Sequence, residues 1–406
     1  MVLTLVMTLT IGTVLASYLG LLGSRYKVTL RSQCWNAAIP VLEAGIEEAL
    51  THLQDDPNDL AANGWPVGAI AGQQVYSKQR SFADGSYFLA NIYNATTFAT
   101  NTTYIYSTGF IPSPLSADNY ISRTVRVTVG LDPLLKLAFS TVYTIQMNGS
   151  GLASDSFNSS NPALSTNGQY DPTKTSTNGN VASVYGPVNF GNHSINGNLY
   201  LGPWATSVVT AGQVSGKIYS DFNVSLPDVV LPAATWLPAA TTTVNGNPTH
   251  HFTASGDYYV ADSSDVVVEP GVTVRLRVDT TTFSPANVHI ASTNGTSGKL
   301  TVYQVSGSAT LSGNTTVDSG QASNFYYYGL PGVTSITYGG TTAFIGVIYA
   351  PEADLTLNGG GNNVDIIGSV VSKSLTMNGH YNFHFDEALL STGPNRGLIA
   401  TDWMEL

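Results

Sequence analysis

Cysteine is almost missing: Cys34 is the only one in 406 residues, so no disulfide can close within the chain and stability must come from burial and backbone pairing. Cys34 sits beside Trp35 with no neighbouring acid or histidine to activate it. It reads as a small buried hydrophobe, with an interchain disulfide as the lesser alternative. Charge is also scarce. Only 10% of residues are charged, and 15 Lys and Arg face 26 Asp and Glu, for a net charge of −11. No basic cluster exists that could neutralise a phosphate backbone, so nucleic acid is excluded as a partner. The scarcity is sharpest at the start, because residues 1–24, MVLTLVMTLTIGTVLASYLGLLGS, carry no charged side chain at all.

What fills that stretch is helical. The pattern runs past Arg25 to about Leu53, so we expect one continuous helix over 1–53. Its uncharged part would span roughly 36 Å, enough to cross a hydrocarbon core of about 30 Å. A secretory signal would be shorter in its apolar run and would begin with basic residues. Ile39, Leu42, Ile46, Ala49, Leu50 and Leu53 recur at three- and four-residue intervals, so the second half should lay one apolar stripe on its own domain. Pro40 removes a backbone donor and is expected to bend or unwind the helix near residues 36–40.

Thr4, Thr8, Gly12, Ala16, Gly20 and Ser24 repeat every four residues. In an apolar medium, close backbone approach over such small residues supplies the packing that lipid does not, which makes the stretch a candidate helix–helix seam. Each step of four turns about 40° round the axis, so the groove winds and suits several neighbours. A single anchor helix with incidental glycines is the alternative. Charge is segregated farther down, with Arg25, Lys27 and Arg31 in one band and Glu43, Glu47 and Glu48 in another. Axially staggered copies would bring opposite bands together. By the positive-inside rule the basic band alone would place the large domain in the cytoplasm.

A rod of about 50 residues, apolar first and amphipathic second, with a proline near position 40 and the run AIPVLEAGIEEALTHL, resembles the N-terminal helix of type IV pilin-like proteins. The resemblance covers about an eighth of the chain. It implies that a prepilin peptidase removes a short leader, that the helix sits in the bacterial inner membrane before assembly, and that copies then pack it into the core of an extracellular filament. The family usually has a glutamate at the fifth mature position, where this chain has Leu5, and no leader with its cleavage motif precedes Met1. Either the numbering starts near the mature end, or packing alone sets registration.

Residues 54–135 contain QVYSKQRS, GSYFLANIYNA, TTYIYSTGFI and YISRTVRVTVG. These β-rich runs between turn residues read as a four-stranded antiparallel head covered by the helix stripe. Residues 136–180, rich in Asn, Ser, Gly and Thr, read as a linker. From 181 to 406 the chain becomes periodic: Asn178-Gly179, Asn196-Gly197 and Ser215-Gly216 lie 18 and 19 residues apart, and IGVIYAPEADLTLNG from Ile345 matches IGSVVSKSLTMNG from Ile367. Repetition near 20 residues with Gly and Asn turns points to a parallel β-solenoid, less even between 250 and 340; a β-sandwich is the competing fold. The expected class is therefore α+β, with a long helix on a small antiparallel sheet followed by a mostly-β domain. The tail with its closing HFDEAL is similar to β-helical regions of large pilin-like proteins.

Little chemistry is visible. His380, Asn382, His384 and Asp386 share one side of an extended strand and could hold a metal only if ligands came from elsewhere, so they read as a polar outer face opposite Tyr381, Phe383 and Phe385. His250 and His251 point opposite ways. GGGNNVD at 359–365 reads as a turn. Acids in the solenoid are scattered, with no acid–base pair at recurring positions, so no catalytic residue, metal or cofactor is expected. The expected function is a structural filament subunit whose partners are copies of itself. The alternatives are a low-copy tip adhesin or pseudopilin binding surface glycans or carbohydrate, and a membrane-anchored surface enzyme.

Overall fold

The structure is a computed structural model; it describes all residues except 96–101, 116–118, 149, 211, 313, 341 and 360–363, so part of GGGNNVD lies outside the described residues. The chain forms two compact units. The first is Met1–Asp132 together with Asn395–Leu406, and the second is Pro133–Pro394. The second unit is thus an insertion, and the expected boundaries at 135 and 406 are corrected accordingly.

In the first unit, helix α1 (Val2–Asp55) continues unbroken through Pro40, so the expected local unwinding does not occur. Pro40 lies on the exposed side of the helix, where its missing donor costs least. Strands β1 (Val67–Ile70), β2 (Gln73–Ser81), β3 (Tyr87–Tyr93), β4 (Thr103–Pro112) and β5 (Tyr120–Pro133) form an antiparallel meander. The final strand, Asn395–Glu405, adds a sixth member beside β5. Arg396 pairs with Asp132, the Thr401 hydroxyl donates to Thr128 O, and Arg123 forks onto Glu405 at 2.7 Å, which sets an antiparallel register.

The stripe on α1 is buried as expected. Leu42, Ile46, Ala49, Leu50 and Leu53 pack on Phe88, Ile92, Ile105, Val125 and Val127, and Ile39 is half-buried. Two glycines permit this contact. A Cβ on Gly45 would lie 2.5 Å from Ser107 Oγ, and one on Gly109 would lie 2.5 Å from the Ala38 carbonyl oxygen, so helix and sheet approach backbone to backbone. The Ser107 hydroxyl donates to Leu42 O at 2.7 Å in this seam.

The second unit is a parallel β-solenoid, which settles the choice against a sandwich. Its spine is a ladder of aligned residues: Ile218, Leu199, Val181, Phe139, Val370, Ile348, Tyr327, Val302, Leu276, Tyr258 and Leu237. The repeat seen in the sequence is in register, with Ile345 beside Ile367, Gly346 beside Gly368 and Asn358 beside Asn378. The uneven stretch between 250 and 340 contains one antiparallel hairpin, Ser292–Thr293 with Thr296–Ser297, and a second, Thr242–Val244 with Asn247–Phe252, pairs just ahead of it.

The order of that ladder is not the order of the chain. Residues 136–180 are no linker: Phe139–Thr141, Ile145–Asn148 and Ser150–Phe157 form a coil in the middle of the stack, pairing with 364–386 on one side and 181–195 on the other. Their Asn and Ser residues suit the corners of a coil. Asn148 donates to Asn378 at 2.9 Å and Asn378 to Asn358 at 3.0 Å, an amide ladder along one edge. The glycines of the 18- and 19-residue spacing stack likewise, since a Cβ on Gly197 would meet Gly179 C at 2.7 Å and one on Gly216 would meet Gly197 O at 2.7 Å. From the middle the chain winds outward to Tyr219, crosses the whole stack, and winds back from Leu237 to the start. Ten strand spacings of about 4.8 Å separate Ile218 from Leu237, roughly 48 Å, and eighteen residues reach about 60 Å, so the crossover must run nearly extended. Pro227, Pro232 and Pro238 suit that conformation, and Tyr349 pins it by donating to Pro227 O at 2.8 Å.

Candidate functional site

Among the described residues, nothing in its own unit covers the first half of α1. Sixteen large apolar side chains between Met1 and Val28 are more than half exposed. At about 1.5–3 kcal/mol for each such side chain, leaving them in water would forgo roughly 25–50 kcal/mol, more than the whole stability of an ordinary domain, about 5–15 kcal/mol. An apolar surface of this size is a candidate for burial in lipid or against other chains. The segment is long and apolar enough to cross a membrane.

The expected seam residues Thr4, Thr8, Gly12, Ala16, Gly20 and Ser24 all lie on this bare segment. A Cβ on Gly12, Gly20 or Gly23 would meet nothing within 4 Å, which leaves room for another backbone. The threonines mask their polarity. Thr4 donates to Met1 O at 2.7 Å and Thr8 to Thr4 O at 3.0 Å, so their hydroxyls ask nothing of an apolar neighbour.

The charge bands divide differently than expected. Arg25, Lys27 and Arg31 are exposed, and none forms an ion pair among the described residues, while Glu43 and Glu47 are exposed below them. Glu48 is withdrawn from the acidic band. It bridges Lys78 at 2.8 Å and Arg80 at 3.1 Å on β2, and although burial raises its pKa, those two cations bring the net value below normal. Glu48 thus fastens the helix to its own sheet. Cys34 is buried, and Trp35 is capped by Arg123 at 5.4 Å.

The strand Tyr381–Asp386 corrects another expectation, since His384 and Asp386 are buried. His384 Nδ1 lies 2.5 Å from Asp155 Oδ1, and its Nε2 lies 3.2 Å from Asp365 without hydrogen-bond alignment. Tyr170 stacks on the imidazole at 3.7 Å and donates to Asp155 at 3.0 Å. Burial alone would lower the His384 pKa, but the two carboxylates outweigh it and raise it; Asp386 is raised mainly by burial, and it accepts from the Ser159 and Ala388 backbone N–H groups. Asp155 belongs to the first coil and His384 to the last, so this cluster clips the two ends of the chain path together. No group of three or more potential metal ligands converges among the described residues. His250 and His251 do point apart, to Asp262 at 2.9 Å and Glu269 at 2.6 Å.

The chain is thus a long-helix protein with a β-sheet head into which a parallel solenoid is inserted. A family model described as "Domain of unknown function (DUF7305)" matches residues 238–392, the longer arm of the solenoid. No curated protein and no solved structure matches the chain.

Proposed function

We propose that this protein is a structural subunit of an extracellular filament resembling a type IV pilus. The apolar half of α1 crosses the inner membrane first and is later buried among copies of itself, while the β-rich head and its solenoid are displayed outside. The reading rests on one observation, the bare apolar segment of α1 with its four-residue seam of small, self-satisfied side chains. A lone membrane anchor would need the hydrophobicity but not the seam.

No catalytic role is assigned. A low-copy role at a filament tip is the second reading, favoured by the bulk of the inserted solenoid, which every subunit of a uniform filament would have to accommodate. Electron microscopy and protein composition of sheared surface material test both. Filaments with this chain as the main component support the first reading, and a trace component supports the second. If the chain is found only as dispersed single molecules in the bilayer, both fail.

A further inference from the structure

A groove of about 490 Å³ opens on the solenoid between the turn at 295–299, the segment at 321–324 and the side chain of Tyr326. Its size lies in the range of small-ligand sites. Its lining is polar. At other places the solenoid pairs polar side chains with one another, as in the amide ladder from Asn148 to Asn358 and the bidentate pair of Arg275 with Asp257. In the groove, Thr301, Gln321 and Ser323 make no side-chain hydrogen bond among the described residues, and neither do Lys299 and the Tyr326 hydroxyl. Other lining side chains are engaged within the protein, Ser297 with Ser292, Asn324 with Ser319 and Thr392 with Ala388 O, so these five present donors and acceptors to solvent, where a ligand can replace water.

An aromatic row leads away from the same place. Tyr326 stacks with Tyr328 at 5.9 Å and 10°, Tyr328 with Tyr303 at 5.3 Å and 18°, and Trp236 stands edge-on to Tyr303 at 6.3 Å. These rings project from the outer side of the spine, because Phe325 and Tyr327 between them point inward and are buried.

We propose that this groove binds a neutral oligosaccharide, with a sugar ring laid on Tyr326 and its hydroxyls matched by Thr301, Gln321, Ser323 and Lys299. Hydroxyl and amide groups recognise a polyol because each can donate and accept, and the C–H face of a pyranose supplies apolar area for the ring. No carboxylate lines the groove to bind a cation, and a single lysine in a chain of net charge −11 is a poor receptor for a polyanion. This site does not depend on polymerisation and stands or falls separately from the filament reading.

The test is isothermal titration calorimetry of the full-length chain, held in a detergent without sugar headgroups. The probes are hexamers of β-1,4-glucose, α-1,4-glucose, β-1,4-mannose and β-1,4-galactose, with hexagalacturonate as the acidic comparison. At least one neutral hexamer should bind with a Kd below about 1 mM. The paired change Gln321→Ala and Ser323→Ala should weaken it about tenfold, Tyr326→Ala at least tenfold, and Tyr326→Phe much less. Tyr219→Ala, at the opposite end of the stack, should leave it unchanged. Binding of hexagalacturonate alone, binding insensitive to the Gln321 and Ser323 pair, or no binding by any neutral hexamer would each overturn the proposal.

Discussion

At the scale of single residues, the buried His384 cluster makes a signed claim about pH. The folded chain holds the His384 proton more tightly than the unfolded chain does, so its contribution is complete below about pH 6.5 and is lost as pH rises through the folded value. His193 acts in the opposite sense, since burial lowers its pKa and stability falls as pH drops below about 6.5. The two partly cancel in wild type, so the informative quantity is a difference. The stability gap between wild type and His384→Gln should be widest near pH 5.5 and shrink toward pH 9 in denaturant titrations; a gap independent of pH would contradict the assignment. Close backbone stacking gives a second claim at this scale. Gly197→Ala should destabilise the solenoid by about 1–3 kcal/mol, read as a lower thermal midpoint, because its Cβ would meet the backbone of the neighbouring coil.

At the scale of elements, α1 separates into two halves that answer to different mutations. Gly12→Leu and Gly20→Leu should abolish assembly seen by electron microscopy while the far-UV spectrum of the head is unchanged, since nothing within the unit touches these positions. Glu48→Gln should do the reverse: filaments still form, but the head loses about 1 kcal/mol through weakened contacts to Lys78 and Arg80. Arg31→Glu should leave head stability alone and change the salt dependence of assembly. Much of this division is legible in the sequence, because helical periodicity records which face is buried and the six stripe residues are enough to show it. The repeat from Ile345 and Ile367 is legible for the same reason, since stacked coils need like residues at like positions. Strand Asn395–Glu405 is not legible, because its partner β5 lies more than 260 residues away and nothing local names it. The coil at 139–157 is hidden by its Asn and Ser residues, which resemble a linker until a neighbouring coil turns them into a ladder. His384 and Asp386 do alternate with Tyr381, Phe383 and Phe385 as a strand should. The error is in the solvent: Tyr170 covers the second face.

At the scale of the whole molecule, the solenoid enters and leaves at one point. Leu134 N donates to Pro394 O at 2.9 Å, and the antiparallel partners β5 and Asn395–Glu405 continue from there. Replacing 133–394 by an Asn-Gly turn should therefore close β5 onto the final strand as a two-residue hairpin and leave a head that unfolds cooperatively by circular dichroism. Loss of cooperative unfolding would mean that the head depends on the insertion.

The middle-out path of the solenoid carries a kinetic consequence. Synthesis runs from the amino end, so the coil at 139–157 emerges about 200 residues ahead of the strands that seal its open edge, Val364–Asn378 and Tyr381–Asp386. Until then the nascent chain holds an unsatisfied β-edge able to recruit any passing strand. Residues 364–386 are the keystone: chains stopped before residue 364 should aggregate where chains that include them do not, and a chaperone guarding this protein would have to hold on until residue 386 has emerged.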